Sequence, residues 1–281
     1  MTTATIERVG RPGHEAVTMS RVIHSEWIKF KSLRSTWISI AAALFAAVVL
    51  GILFSALRAS HIDQGGFGPK APTHAQLIQG LDPTLISLRG LFLAQLAVGV
   101  LGVLMITGEY STGMIRASLT SVPRRAPVLL AKVAVFGGVI FVIGTIASLV
   151  AFLGGQAALH SHDLGVSLSS PGAARAVIGG GLFLMLVGLL GLGCGFAIRS
   201  TGGAIATLFG LILVLPLLAQ ALPTSWNDNV NQYLPLPAGI SLVTTVHQSN
   251  TLGALAGGLV FAAYAVAALA IGMAVLLRRD A

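Results

Sequence analysis

Six apolar runs, at residues 37–57, 85–108, 128–157, 174–198, 202–222 and 252–277, constrain this chain more than any motif in it. About 20 helical residues cross the ~30 Å hydrocarbon layer of a bilayer, so each run is long enough to span one. Over 281 residues the chain is 55% hydrophobic and only 9% charged, whereas soluble domains carry roughly a quarter charged residues. A water-soluble fold of this length could not bury so much apolar surface, and lipid must be the solvent for most of it. The expected fold class is all-α: a polytopic membrane protein with six transmembrane helices in a single domain over residues 20–281. Residues 1–19 are polar and aperiodic, with Gly10, Pro12 and Gly13, and read as a flexible tail.

The distribution of positive charge sets the orientation. Of the 17 Lys and Arg residues, all but Arg58, Lys70, Arg89 and Arg175 fall in the N-terminal segment, the 109–132 loop, at Arg199 or in the Arg278–Arg279 tail. Cytoplasmic segments of membrane proteins retain such an excess, so both termini and the 109–132 loop are expected inside. The net charge of +8 therefore follows membrane topology, and the scatter of its cations over short loops argues against a nucleic-acid-binding face. No cleavable signal peptide is expected, because the first apolar run lies behind a long charged segment.

Boundary residues agree with the runs. Asp82-Pro83, Ser170-Pro171 and Asn250-Thr251 have the chemistry of helix entries just before spans two, four and six. Ser20 is placed to cap a helix over 20–34 whose stripe of Ile23, Trp27, Phe30 and Leu33 would lie in the membrane interface, opposite Arg21, Lys31 and Arg34. The 223–250 segment, with Trp226, Tyr233, Pro235 and Pro237, suggests a short re-entrant or interfacial helix pair on the outer side.

Apart from Arg89, near the outer end of span two, Lys132, near the inner start of span three, and Arg175, at the outer start of span four, the apolar runs hold no Asp, Glu, Lys, Arg or His. A charge at the bilayer centre costs ~2.5–3.5 kcal/mol on insertion scales, a cost that proton and ion relays bear. A secondary transporter is the alternative that this absence disfavours. An intramembrane enzyme, the other rival, would need a nucleophile or metal site at membrane depth, and the His and carboxylate residues are expected in loops. Cys194, alone and in an apolar run, offers no disulfide or thiolate site. His160-Ser161-His162-Asp163 is too sparse to assign a metal. Gly191 with Gly195, and Gly253 with Gly257, permit close helix contact and are expected to serve packing within the bundle. Arg89 either snorkels to outer headgroups or faces an outer vestibule and touches cargo.

The cytoplasmic loop carries the most information. It reads Gly108-Glu109-Tyr110-Ser111-Thr112-Gly113-Met114-Ile115-Arg116, then Leu119, Pro123-Arg124-Arg125, Pro127 and Lys132. Glu109 sits where a helix ends, the unfavourable end of the dipole for an anion. Arg116, Arg124, Arg125 and Lys132 are its candidate partners. Thr112 is placed to cap a short helix over about 113–121, which Pro123 ends.

This stretch, from Glu109 to Lys132, resembles the cytoplasmic loop of the type-2 permeases of ATP-binding-cassette exporters. The layout is similar too: an amphipathic elbow helix before span one, six spans, and a Pro-rich outer segment resembled here by Tyr233-Leu234-Pro235-Leu236-Pro237-Ala238-Gly239. The resemblance implies a permease subunit of an exporter in the bacterial cytoplasmic (inner) membrane. Its loop helix would couple to a separate ATPase subunit through Glu109, Tyr110, Met114, Ile115, Arg116, Leu119, Arg124 and Arg125. Two such ATPases would serve two permeases, most simply a homodimer. The chain has no G-x-x-x-x-G-K-[ST] loop, so ATP and Mg²⁺ are expected on the partner, and the chain itself is not expected to be an enzyme. Apolar spans favour a hydrophobic or amphipathic cargo, such as a drug, lipid or peptide. With 12 Phe, 3 Tyr and 3 Trp in the whole chain, a polysaccharide path is disfavoured.

Overall fold

Each apolar run forms a helix in the computed structural model, which describes residues 18–32, 34–63, 81–114, 125–161, 164–221, 223, 229–246 and 250–278. The helices are α1 (Met19–Ser32), α2 (Arg34–Asp63), α3 (Pro83–Leu88), α4 (Leu91–Thr112), α5 (Arg125–His160), α6 (Ala173–Ile198), α7 (Thr201–Phe209), α8 (Leu215–Ala219), α9 (Pro235–Ile240) and α10 (Ala254–Arg278). No strand occurs among the described residues. Helices α2, α4, α5, α6 and α10 are spans one, two, three, four and six, and α7 continues into α8 as span five.

Span four is the hub of the bundle. Of its most apolar stretch 78% is buried within the protein, against 33%, 28% and 22% for spans one, five and six. It packs on spans two, three and six. Small residues make this possible, as expected for Gly191 and Gly195: a Cβ at Gly191 would strike the Gly99 carbonyl of span two, and one at Gly102 would strike the Gly188 carbonyl of span four. Van der Waals packing drives helix association in lipid, so backbone contact of this closeness is where the stability lies. Gly257 similarly abuts Ser241 and the Ala238 carbonyl, while Gly253 faces open space among the described residues.

Helix entries differ in part from expectation. Asp82 does cap a helix, its Oδ1 accepting from Leu85 N at 3.0 Å, but that helix is the short α3. The chain breaks at Arg89–Gly90 before span two proper begins. Span one presses on the break, since a Cβ at Gly90 would overlap the Ala47 carbonyl. Gln156 of span three crosses to this region, donating to Pro83 O and Ser87 Oγ at 3.0 Å and accepting from Val166 N at 2.7 Å. Span four begins at Ala173 after Gly172, in the left-handed region with φ 84°, and span six at Ala254. Ser170-Pro171 and Asn250-Thr251 therefore stand outside their helices. Ser20 lies within the first turn of α1, and Thr18 O accepts from Val22 N at 3.2 Å.

Span five contains a π turn, Gly210–Val214, in which Leu215 N–H bonds to Gly210 O. Pro216 explains its position. Proline lacks the N–H that would bond four residues back, and its ring crowds that carbonyl, so the helix widens ahead of it. Among the described residues after span five, a 3₁₀ turn at Asn231–Tyr233 leads into the short helix α9; residues 224–228, where a second helix of the expected pair would fall, lie outside the described residues. Its Gly239 closes against Phe183 of span four and Phe261 of span six.

The first helix is rotated from the expected orientation. Val22, Glu26 and Phe30, spaced i, i+4, i+8, face inward, while Trp27 is 40% exposed. Phe30 is held edge-on by Trp37 at 5.5 Å and by Phe136 of span three at 6.4 Å. The helix thus packs on span three through an aromatic cluster instead of presenting all its rings to lipid. Leu33 lies outside the described residues.

Candidate functional site

The α1 helix, the end of α4, the start of α5 and the end of α10 meet at one end of the bundle, here termed the proximal end. Lys132 of α5 is fully buried there. Its ammonium donates to Glu26 Oε2 of α1 at 2.5 Å and to Glu109 Oε1 of α4 at 2.6 Å. Lys29, one turn along α1, holds the other oxygen of Glu26 at 2.6 Å. Glu109 Oε2 is buried without a hydrogen-bond partner among the described residues.

The geometry follows from helix ends. Glu109 occupies the last turn of α4, whose C-terminal dipole disfavours an anion, and Lys132 supplies the compensating charge. A buried ion pair recovers in Coulomb attraction about what it loses in desolvation, but removing one partner costs ~3–5 kcal/mol. Such a cluster therefore specifies arrangement more than it adds stability. It locks α1 against the two helices that flank the loop.

A second tie lies beside it. Arg199, the residue that ends α6, adopts the left-handed conformation with φ 59°. Its guanidinium sits 5.1 Å over the Tyr110 ring and donates to Val275 O of α10 at 3.2 Å. Spans two, four and six are joined through this one side chain. A non-glycine residue in this region bears ~1–2 kcal/mol of backbone strain, which the two contacts offset.

Of the residues assigned from sequence, Glu109 and Tyr110 come together at the proximal end, and Met114 follows them, half exposed. Ile115, Arg116, Leu119 and Arg124, with most of the 113–121 segment, lie outside the described residues, as does the side chain of Arg125. The helical parts are longer than expected, so Glu109 belongs to span two rather than to a loop. The Thr112 hydroxyl donates back to Gly108 O at 2.8 Å, and Gly113, φ 73°, ends the helix; most of the helix that Thr112 was expected to cap lies outside the described residues. Among the four candidate cations Lys132 is the partner observed for Glu109. Glu26 and Lys29 were missed by sequence reasoning. The signal was present, an acid centred in the Val22–Glu26–Phe30 stripe.

Arg89 is exposed at the opposite, distal end, at the break between α3 and α4. His160 ends α5, while His162 and Asp163 lie outside the described residues. No group of three or more His, Cys, Asp or Glu side chains able to hold a metal occurs among the described residues. The proximal cluster ties α1 to α4 and α5 through Lys132, and α4 to α6 and α10 through Tyr110 and Arg199.

No curated protein matches the chain. The model of the ABC-2 family transporter protein matches residues 22–214, from the inward face of α1 through the π turn of span five. A match over this share of a chain with six apolar helices fixes the family: the chain belongs to the ABC-2 family of transporter proteins and is a multi-pass membrane permease subunit.

Proposed function

We propose that the chain forms the translocation pathway of an ATP-driven exporter for a hydrophobic or amphipathic cargo, a drug, lipid or peptide. Two copies, as a homodimer, would associate with two separate ATPase subunits that carry ATP and Mg²⁺. The protein lies in the bacterial inner membrane, the proximal end is the cytoplasmic one, both termini are in the cytoplasm, and α1 is the elbow helix. The 113–124 segment is the coupling element, with Met114, Ile115 and Leu119 entering a groove of the ATPase while Arg116, Arg124 and Arg125 orient it.

The observation that carries this reading is the sharing of Lys132 between Glu26 and Glu109. It ties the elbow helix to spans two and three, the helices that flank the loop, which is the mechanical requirement for transmitting closure of an ATPase. ATP binding shifts the access equilibrium only by the difference in its affinity for the two states, and a rigid connection passes that difference to the spans. Spans one, five and six keep most of their surface outside the protomer, leaving room for a second copy and for lipid.

Co-purification tests the proposal. Affinity-tagged wild-type protein is expected to bring down a P-loop ATPase, and Ile115→Asp or Leu119→Asp, which put a charge into the groove, to lose it while remaining folded. Full retention of the ATPase by both folded variants would sink the docking role of the loop.

A further inference from the structure

A cleft of about 370 Å³ opens at the distal end between span one, α3 and the strap that follows α9. Arg58 of span one and Arg89 at the α3–α4 break stand in it, both exposed, with Phe54, Leu57, Leu85 and Val246 forming apolar walls. Its volume falls at the lower end of the roughly 300–1,000 Å³ of small-ligand sites. That suits a headgroup with the first part of a chain.

The two cations stand on helices that are braced against each other. Span one touches the break at Gly90, and Ser55 of span one bonds to Ser87 of α3 at 3.3 Å, so Arg58 and Arg89 are carried on two braced elements. The acid in the cleft, Asp82, is already occupied. Its Oδ1 accepts from Leu85 N at 3.0 Å and Thr245 Oγ1 at 2.8 Å, and its Oδ2 from Thr245 N at 2.5 Å and Val246 N at 3.1 Å. Neither arginine has a carboxylate within ion-pairing distance among the described residues. Two guanidinium groups above apolar walls, at the end of membrane-spanning helices, match a phosphate-bearing head on an acyl chain, since arginine binds phosphate through paired N–H donors.

We infer that this cleft binds the headgroup of an anionic phospholipid, with Arg58 and Arg89 on the phosphate and the acyl chain leaving along Phe54 and Leu57. The site does not depend on the exporter reading, because occupancy is measured without ATP or a partner.

The full-length protein, reconstituted in nanodiscs of phosphatidylcholine doped with phosphatidylglycerol, is released into detergent and its retained lipid counted by native mass spectrometry. Wild type is expected to keep phosphatidylglycerol over phosphatidylcholine. Arg58→Gln and Arg89→Gln should each lower that retention about tenfold, the loss of a charge-assisted hydrogen bond. Arg34→Gln, which removes an equal charge at the proximal end, should leave it unchanged. Val246→Trp fills the cleft with both cations kept, and it should also release the lipid, which simple snorkelling of two arginines would not. If the glutamine variants melt early, Arg58→Lys/Arg89→Lys replaces them, keeping charge but losing the planar fork, and reduced retention is again expected. Equal retention of the two lipids by wild type, or undiminished phosphatidylglycerol in folded Val246→Trp, would overturn the assignment.

Discussion

Lys132 and Glu26, 106 residues apart in sequence, form a buried ion pair of 2.5 Å that ties the N-terminal helix to span three. Glu109 completes the cluster from span two at 2.6 Å. The three residues come from three helices, and no pair of them is close enough in sequence to be set by local structure.

Lys132→Met should therefore be among the most destabilising single changes. It leaves two carboxylates facing each other in a buried site, at a cost of ~3–5 kcal/mol. Replacing all three together (Glu26→Leu, Lys132→Met, Glu109→Leu) should return most of that stability, because no buried charge remains. Thermal unfolding of the purified protein in detergent compares them. A triple variant as unstable as Lys132→Met would show that packing, not charge, sets the cost.

Glu109→Gln separates insertion from coupling. It keeps the side-chain shape but removes one of the two anions on Lys132, loosening the tie between span two and α1. Substrate-stimulated ATP hydrolysis by the assembled complex should fall more than the amount of protein in the membrane. Equal loss of both would reduce Glu109 to a folding role.

At the distal end, Asp82→Ala removes the cap of α3 and frees the Thr245 and Val246 amides. A lost cap costs ~1 kcal/mol, and stranded donors add ~1–3 kcal/mol. Amide hydrogen exchange at Thr245 and Val246 should quicken while span four stays protected. Unchanged exchange at those two amides would mean that Asp82 does not hold the strap.

Gly191→Leu should prevent the crossing of spans two and four, because its side chain has no space beside the Gly99 carbonyl. Overpacking of this kind costs ~1–3 kcal/mol or more. Gly253→Ala, at a position facing open space among the described residues, should be neutral in the same melting assay, and a comparable loss there would mean that close backbone contact does not set the cost.

Topology is open to direct labelling. Single cysteines at Ser161 and Asn229 should react with an impermeant thiol reagent added outside the cell, and one at Ser121 should react only after permeabilisation. Reaction of all three from one side would end the six-span arrangement.

Much of the architecture was legible in the residues themselves. Six long runs nearly free of charge can form only helices of membrane length, and their number and order followed from apolar length. The family resemblance rested on the loop from Glu109 and was carried by short-range features. What sequence could not supply were relationships between helices. Phe30 was expected to face lipid, but an amphipathic stripe does not say whether its neighbour is lipid or another helix; Phe136 and Trp37 decided that. Glu109 had four candidate cations along the chain, and the packing of span three against α1 placed Lys132 on it and brought in Glu26. The same holds for Asp82, whose role as a cap is local and readable, while its hold on Thr245 and Val246 spans most of the chain. Local hydrogen bonding and hydrophobic length act between neighbours and leave a signature in sequence. The pairing of buried charges depends on which helices lie side by side, and the tertiary fold alone determines it.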